Sequence, residues 1–97
     1  MTLPKQIKVG GLTITVREVE GLIVDYDRFG EFSPRELQIR VESHLSWDRK
    51  ELTLLHEIIE AVTTLNEIEM EHSDLTTLAH ELYQVFSDNS LTWGNNK

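Results

Sequence analysis

The residues best suited to chemistry lie in one helical stretch, residues 54–62, which contains the spacing His56-Glu57-x-x-Glu60. Residues four apart lie on one face of a helix, so His56 and Glu60 can point at a common atom. An imidazole and a carboxylate on consecutive turns can supply two ligands to zinc, with Glu57 beside them as a general base. The spacing therefore predicts part of a metal site.

A third ligand must come from another part of the chain. His72 follows a short connection and can fold back over the same helix edge. Together with His56 and Glu60 it would leave a fourth position for water, whose pKa the metal lowers, and Glu57 would accept the proton of that water. The alternative is an ordinary helix with a polar edge, because 17 acidic residues in 97 make chance matches to this spacing common.

The other two histidines are weaker candidates. His80 is expected on the solvent side of the second helix, so it would replace His72 only if that helix turned its polar face inward. His44 is expected in a loop. Neither a serine nucleophile pattern nor a phosphate-binding glycine loop occurs, so metal chemistry is the main functional indication.

A long helix must carry the candidate site. Between residues 48 and 65 the apolar spacing is helical, with Asp48 as the N-cap and Glu51 completing a capping-box-like pair. A wide apolar arc predicts packing against a sheet and a second helix. His56 and Glu60 border that arc, whereas Glu57 is expected to point further toward solvent.

The second helix is expected over about residues 74–87. Ser73 and Asp74 are both plausible caps, and the acidic segment 66–72 either finishes the first helix or crosses in extended form. A loose tail over about residues 88–97 follows, in which Leu91 and Trp93 are able to dock on the core.

The first half of the chain, about residues 5–41, reads as a small, mostly antiparallel sheet of three to four strands. Gly10-Gly11 joins two alternating runs as a hairpin, and residues 37–41 alternate as a strand paired with residues 29–32. Residues 22–24 fit either a short buried strand or a connection. Asp25, Asp27 and Glu31 indicate a solvated acidic loop better than a calcium site. We expect one α+β domain over residues 1–97, a sheet followed by two packed helices.

Composition excludes several functional classes. The chain lacks cysteine, which rules out disulfides and thiolate metal sites. A formal net charge of −8 argues against nucleic-acid binding, which needs clustered Lys and Arg. It leaves room for a basic protein partner, although acidity alone is more often a matter of solubility. The apolar runs are too short for a membrane span, and no secretory leader precedes the first strand, so we expect a cytoplasmic protein.

The order of these elements resembles a family of small zinc metallopeptidase-like proteins of phages and prophages. The likeness covers about residues 7–89 and includes Glu71-His72, and its more specific pieces are Leu54-Leu55-His56-Glu57 and Leu82-Tyr83-Gln84 with Asp88-Asn89. The resemblance implies a reduced zincin-like fold, a zinc cofactor, a peptide or protein substrate, and the cytoplasm of the host cell as location.

The chain departs from this family at two ligand positions. Many relatives carry His-Glu-x-x-His, where this chain has Glu60, and some carry a glutamate early in the second helix, where it has Leu75-Thr76-Thr77. The resemblance implies a rearranged site that uses His72. Two functions remain: a metalloprotein, with peptidase activity less expected than metal binding, or an inactive zincin-shaped module that binds a basic host or phage protein.

Overall fold

The computed structural model describes residues 2–26 and 28–91, with the backbone alone for Asp25 and Tyr26. The fold is α+β, a four-stranded sheet followed by two packed helices, as the sequence predicts. In chain order its elements are β1 (Gln6–Val9), β2 (Leu12–Val19), α1 (Leu22–Tyr26), β3 (Gly30–Ser33), β4 (Gln38–Glu42), α2 (Trp47–Leu65) and α3 (His72–Asp88). None of the helices in these ranges combines the length and the apolar character that crossing a membrane requires.

The sheet has the strand order β1-β2-β4-β3 and is mixed. The hairpin at Gly10-Gly11 is confirmed, with Gly10 at a φ of 61° that glycine adopts easily. The predicted pairing of β3 with β4 is also confirmed as antiparallel. The central pair, β2 with β4, is parallel, and Val16 lies opposite Ile39. Alternation in a sequence identifies the two faces of a strand but not the direction of its neighbour, so this pair was not foreseen.

The core lies between the inner face of the sheet and α2. Side chains from β2 and β4 alternate as predicted, because Ile14 and Val16 are buried whereas Thr13, Thr15 and Arg17 are exposed. The buried hydrophobic cluster consists of Leu3, Ile14, Val16, Ile39, Val41, Leu54 and Ala61. Since α2 contributes to this cluster along its length, its polar edge is held in a fixed place beside the sheet.

Both long helices begin earlier than predicted. The N-cap of α2 is Ser46, whose Oγ accepts a hydrogen bond from the backbone N–H of Arg49 at 3.4 Å, and Asp48 lies in the first turn instead. The helix ends at Leu65, and the connection to α3 contains no regular structure from residue 68 to residue 71. Because α3 already begins at His72, that residue belongs to its first turn.

The acidic loop and the tail are described only in part. Asp27 and Trp93 lie outside the described residues. Glu31 belongs to β3 and pairs with Arg28 at 3.3 Å and with Arg40, so it is not a freely solvated carboxylate. Leu91 is exposed, so in the structure it does not dock on the core.

A buried glutamate holds α1 against the sheet. Residues 22–26 form a short helix in the connection between β2 and β3, so the strand alternative was wrong. The backbone N–H groups of Leu22 and Ile23 donate to Glu42 Oε1 at 2.8 and 3.2 Å, and that of His44 donates to Oε2 at 3.3 Å. Burial raises the pKa of Glu42, but these donors outweigh it and hold the pKa below its usual value.

Replacing this carboxylate should remove an acid-sensitive contribution to stability. Because the pKa of Glu42 is lowered in the folded state, its contribution is present above the unfolded value of about 4.3 and is lost as the pH falls further. We expect Glu42→Gln to unfold at lower urea concentration than the wild type at pH 7, and the difference to shrink on acidification. Urea unfolding followed by circular dichroism from pH 7 to pH 3 measures both effects.

The matched control is Glu36→Gln, which changes an exposed glutamate in the turn between β3 and β4. It should leave the urea midpoint close to that of the wild type at every pH. A difference between the wild type and Glu42→Gln that stays constant from pH 7 to pH 3 would contradict this account of Glu42.

Candidate metal centre

The candidate residues line one open cleft of about 730 Å³, bounded by α2, α3 and the start of β3. Residues four apart share a helix face, and two such faces meet here. From α2 come His56, Glu57 and Glu60, and from α3 come His72, Thr76 and His80. The cleft therefore contains three of the four histidines of the chain.

Three of these side chains form a group that can hold a metal ion. One ligand atom each from His56, Glu57 and Glu60 lies within 4.8 Å of the other two. Within residues 2–26 and 28–91, no other histidines and acidic residues are grouped in this way. An imidazole and two carboxylates are donors that zinc and other divalent transition metals accept. The structure identifies the group but not the metal.

Glu57 is buried, with 7% of its surface exposed, contrary to the expectation that it points toward solvent. The first residue of β3 explains the difference. A Cβ atom placed on Gly30 would lie 3.3 Å from Glu57 Cγ and 2.6 Å from Thr53 Cγ2. The absence of a side chain at Gly30 thus lets β3 lie directly on α2 and cover Glu57.

His56 is half-buried between the two helices. Its Nδ1 lies 3.3 Å from Glu57 Oε2, and its Nε2 lies 3.4 Å from the hydroxyl oxygen of Thr76. The hydrogen bond to Glu57 raises the pKa of His56, burial opposes that shift, and the charges of Glu57 and Glu60 add to it. Because a metal ligand must be the neutral imidazole, metal binding at His56 competes with protonation of its ring.

His72 lies beside the group without belonging to it. Its ring centroid is 5.3 Å from that of His56, and the two rings meet edge to face at 65°. The structure thus brings His72 over the α2 edge, as the sequence suggested, but its ligand atoms are not among those within 4.8 Å of one another. Its role as third ligand remains a prediction.

His80 and His44 are also placed by the structure. His80 is exposed, as expected, but it also lines the cleft, so α3 does not turn it away from α2. Its Nδ1–H donates to the carbonyl oxygen of Thr76 at 2.8 Å, which leaves Nε2 as the nitrogen with a free lone pair. His44 lies in an exposed turn outside the cleft, as expected.

Sequence reasoning missed two arginines that line the cleft, Arg28 and Arg49. Arg49 lies in the first turn of α2, seven residues before His56, and its guanidinium stands 5.3 Å from the centre of the Phe29 ring. The spacing of seven residues was readable in the sequence, because it places Arg49 and His56 on one helix face.

Comparison with family models, curated proteins and solved structures found no match. The resemblance to the phage zinc metallopeptidase-like family therefore stays a prediction from the motifs alone.

The close approach at Gly30 predicts a sharp difference between two glycine substitutions. Gly30→Ala should destabilise the fold by about 1–3 kcal/mol, because the new methyl group must displace Thr53 and Glu57. Gly11→Ala is the matched control, since a Cβ there meets nothing within 4 Å. Chemical denaturation measures both, and equal stability of the two variants would show that β3 does not lie on α2 as described.

The raised pKa of His56 can be measured in metal-free protein. We expect its imidazole to titrate above about pH 6.5, and Glu57→Gln to lower that midpoint. A raised pKa in the folded state also makes stability depend on pH. Protonated His56 stabilises the fold below about pH 6.5, and this stabilisation is lost as the pH rises through the folded-state pKa. NMR titration of the ring protons reports the midpoint.

Glu81→Gln, at an exposed position of α3 outside the cleft, serves as the control and should leave the His56 midpoint unchanged. A wild-type midpoint at or below that of a free histidine would show that Glu57 does not hold the proton.

Proposed function

We propose that this protein is a metal-dependent hydrolase of the metallopeptidase type, with zinc as the first candidate metal. The observation that carries the proposal is the group formed by His56, Glu57 and Glu60, whose ligand atoms lie within 4.8 Å of one another in an open cleft. Three protein ligands that leave a position free for water or substrate are characteristic of catalytic rather than structural zinc sites. The cleft gives a substrate access to that position.

The residues present fit a divalent ion. His56 supplies a nitrogen donor, and the two glutamates supply the negative charge that a cation neutralises. Glu57 is nearly buried beside the imidazole of His56, and a cation bound next to both would offset the cost of burying the carboxylate charge. When bound, the ion would polarise a carbonyl and lower the pKa of a bound water.

Two assignments of the ligands follow from this geometry. In the first, His56, Glu57 and Glu60 all bind the ion. In the second, which the sequence predicts, His72 replaces Glu57 as the third ligand, and Glu57 is free to accept a proton from water as general base. The ring centroids of His56 and His72 are 5.3 Å apart, so His72 is near enough to the group to be tested as the third ligand.

Zinc titration of the purified protein, followed by calorimetry and mass spectrometry, tests the proposal. We expect one zinc per chain, and a loss of affinity of tenfold or more in His56→Ala and Glu60→Gln. Loss in Glu57→Gln with retention in His72→Ala would assign Glu57 as a ligand, and the reverse would assign His72. His44→Ala is the control, because His44 lies outside the cleft.

Binding must also stabilise the folded state. Zinc at about a hundred times its Kd should add about 2.7 kcal/mol to the free energy of unfolding, because it binds the folded protein only. An absence of any bound metal in the purified protein, together with no thermal shift when zinc is added, would exclude the hydrolase.

The second candidate is a binding module without catalysis. It is favoured by the connection between α2 and α3, where Glu67, Glu69 and Glu71 are exposed together with the apolar side chains of Ile68 and Met70. Acidic and apolar groups side by side suit a basic protein partner. In that case substitutions in this connection would abolish function, whereas His56→Ala would cost only local packing.

A further inference from the structure

The end of the cleft away from the candidate metal group carries positive charge. Arg49 lies there, with its guanidinium over the ring of Phe29, and Arg28 also lines the cleft. Arg28 is already paired with Glu31 at 3.3 Å. Arg49, in contrast, forms no ion pair with any residue in the described part of the chain, and it lies over the face of Phe29 instead. Arg49 is thus a cation in a binding cleft whose charge is available to a ligand.

The ring beneath Arg49 holds the guanidinium in place without neutralising it. A cation 5.3 Å from an aromatic centroid is attracted by the ring, and the attraction restricts the long side chain. A planar guanidinium with its donors exposed matches a carboxylate, which can accept two parallel hydrogen bonds from it. Preorganisation of this kind lowers the entropy cost of binding.

The charge of the cleft changes sign when a metal binds. Two arginines and three glutamates line it, so with neutral histidines its formal charge is minus one, and a divalent ion makes it plus one. The chain as a whole carries −8. A loaded cleft is therefore a locally positive site on an acidic protein, which favours an anionic ligand.

The spacing along α2 sets the length of that ligand. Arg49 and His56 are seven residues apart on one face, which separates them by about 10 Å along the helix axis. An extended peptide advances by about 3.3–3.6 Å per residue, so about three residues span the distance.

We propose that Arg49 binds a carboxylate of a peptide ligand, and that a carbonyl group about three residues away in the same peptide lies at the candidate metal group. This inference rests on the proposed function for the metal end, and it adds the substrate class: short or terminal peptide segments that carry a negative charge. The carboxylate is either the peptide C-terminus or an acidic side chain.

Three probes test this contact between Arg49 and a carboxylate, which we call the anchor. They also distinguish a peptide C-terminus from an acidic side chain as the source of the carboxylate. Each is an alanine dipeptide whose amino group carries a succinyl hydroxamate, since a hydroxamate binds zinc. The first probe ends in a free carboxylate, the second ends in an amide, and the third ends in an amide with glutamate in place of the last alanine. Their affinities for the zinc-loaded full-length protein are measured by calorimetry.

We expect a charged probe to bind about fivefold more tightly than the neutral one, as for an exposed ion pair. Arg49→Gln should abolish that preference without changing zinc affinity, and Arg49→Lys should keep part of it. Arg35→Gln, in the exposed turn between β3 and β4, is the control and should keep all of it. Whether the first or the third probe shows the preference identifies the source of the carboxylate.

Equal affinity of all three probes for zinc-loaded protein would overturn the anchor and leave the metal site standing. An absence of zinc binding would overturn the proposed function instead. The anchor is then decided on metal-free protein by NMR: shifts of the Phe29 ring on adding the free-carboxylate probe, absent in Arg49→Gln, support it, and no shift rejects it.

Discussion

The contact of β3 with α2 at Gly30 is the constraint on which the cleft depends. A side chain at this position would overlap Thr53 and press on Glu57, so the sheet edge can cover the helix only because glycine stands there. The covering turns Glu57 from a surface residue into a buried carboxylate beside His56. The arrangement of the candidate metal group thus depends on a residue that contributes no side chain.

The same sheet edge links the two ends of the cleft. Phe29 immediately precedes β3 and supports the guanidinium of Arg49, while Gly30 lies against Glu57. Because α2 carries both Arg49 and His56, the relative position of the cationic end and the histidine end is fixed by one rigid helix and one strand. A site built on such elements is held more accurately than a site built on loops.

The sequence predicted those features that depend on local periodicity. The Gly10-Gly11 hairpin, the β4 strand and the long helix with His56 at its edge are all readable from short-range patterns. What escaped prediction depends on partners distant in sequence. Glu42 caps a helix twenty residues earlier, and Glu57 is covered by a strand beginning at Gly30. Even the N-cap of α2 is not decided by the local pattern, because Ser46 and Asp48 are equally good capping residue types.

The parallel pairing of β2 with β4 has a consequence for the order in which the cleft is assembled. The hairpin of β1 and β2 joins residues that are close in sequence, whereas β2 and β4 meet across a crossover containing α1 and β3. Closing that longer loop lowers the entropy of the chain before any stabilising contact has formed. We therefore expect the pairing of β2 with β4 to be a slow event in folding. Because α2 packs on side chains of both β2 and β4, we expect the contact of Gly30 with α2, and with it the cleft, to be completed only after this central pair has formed.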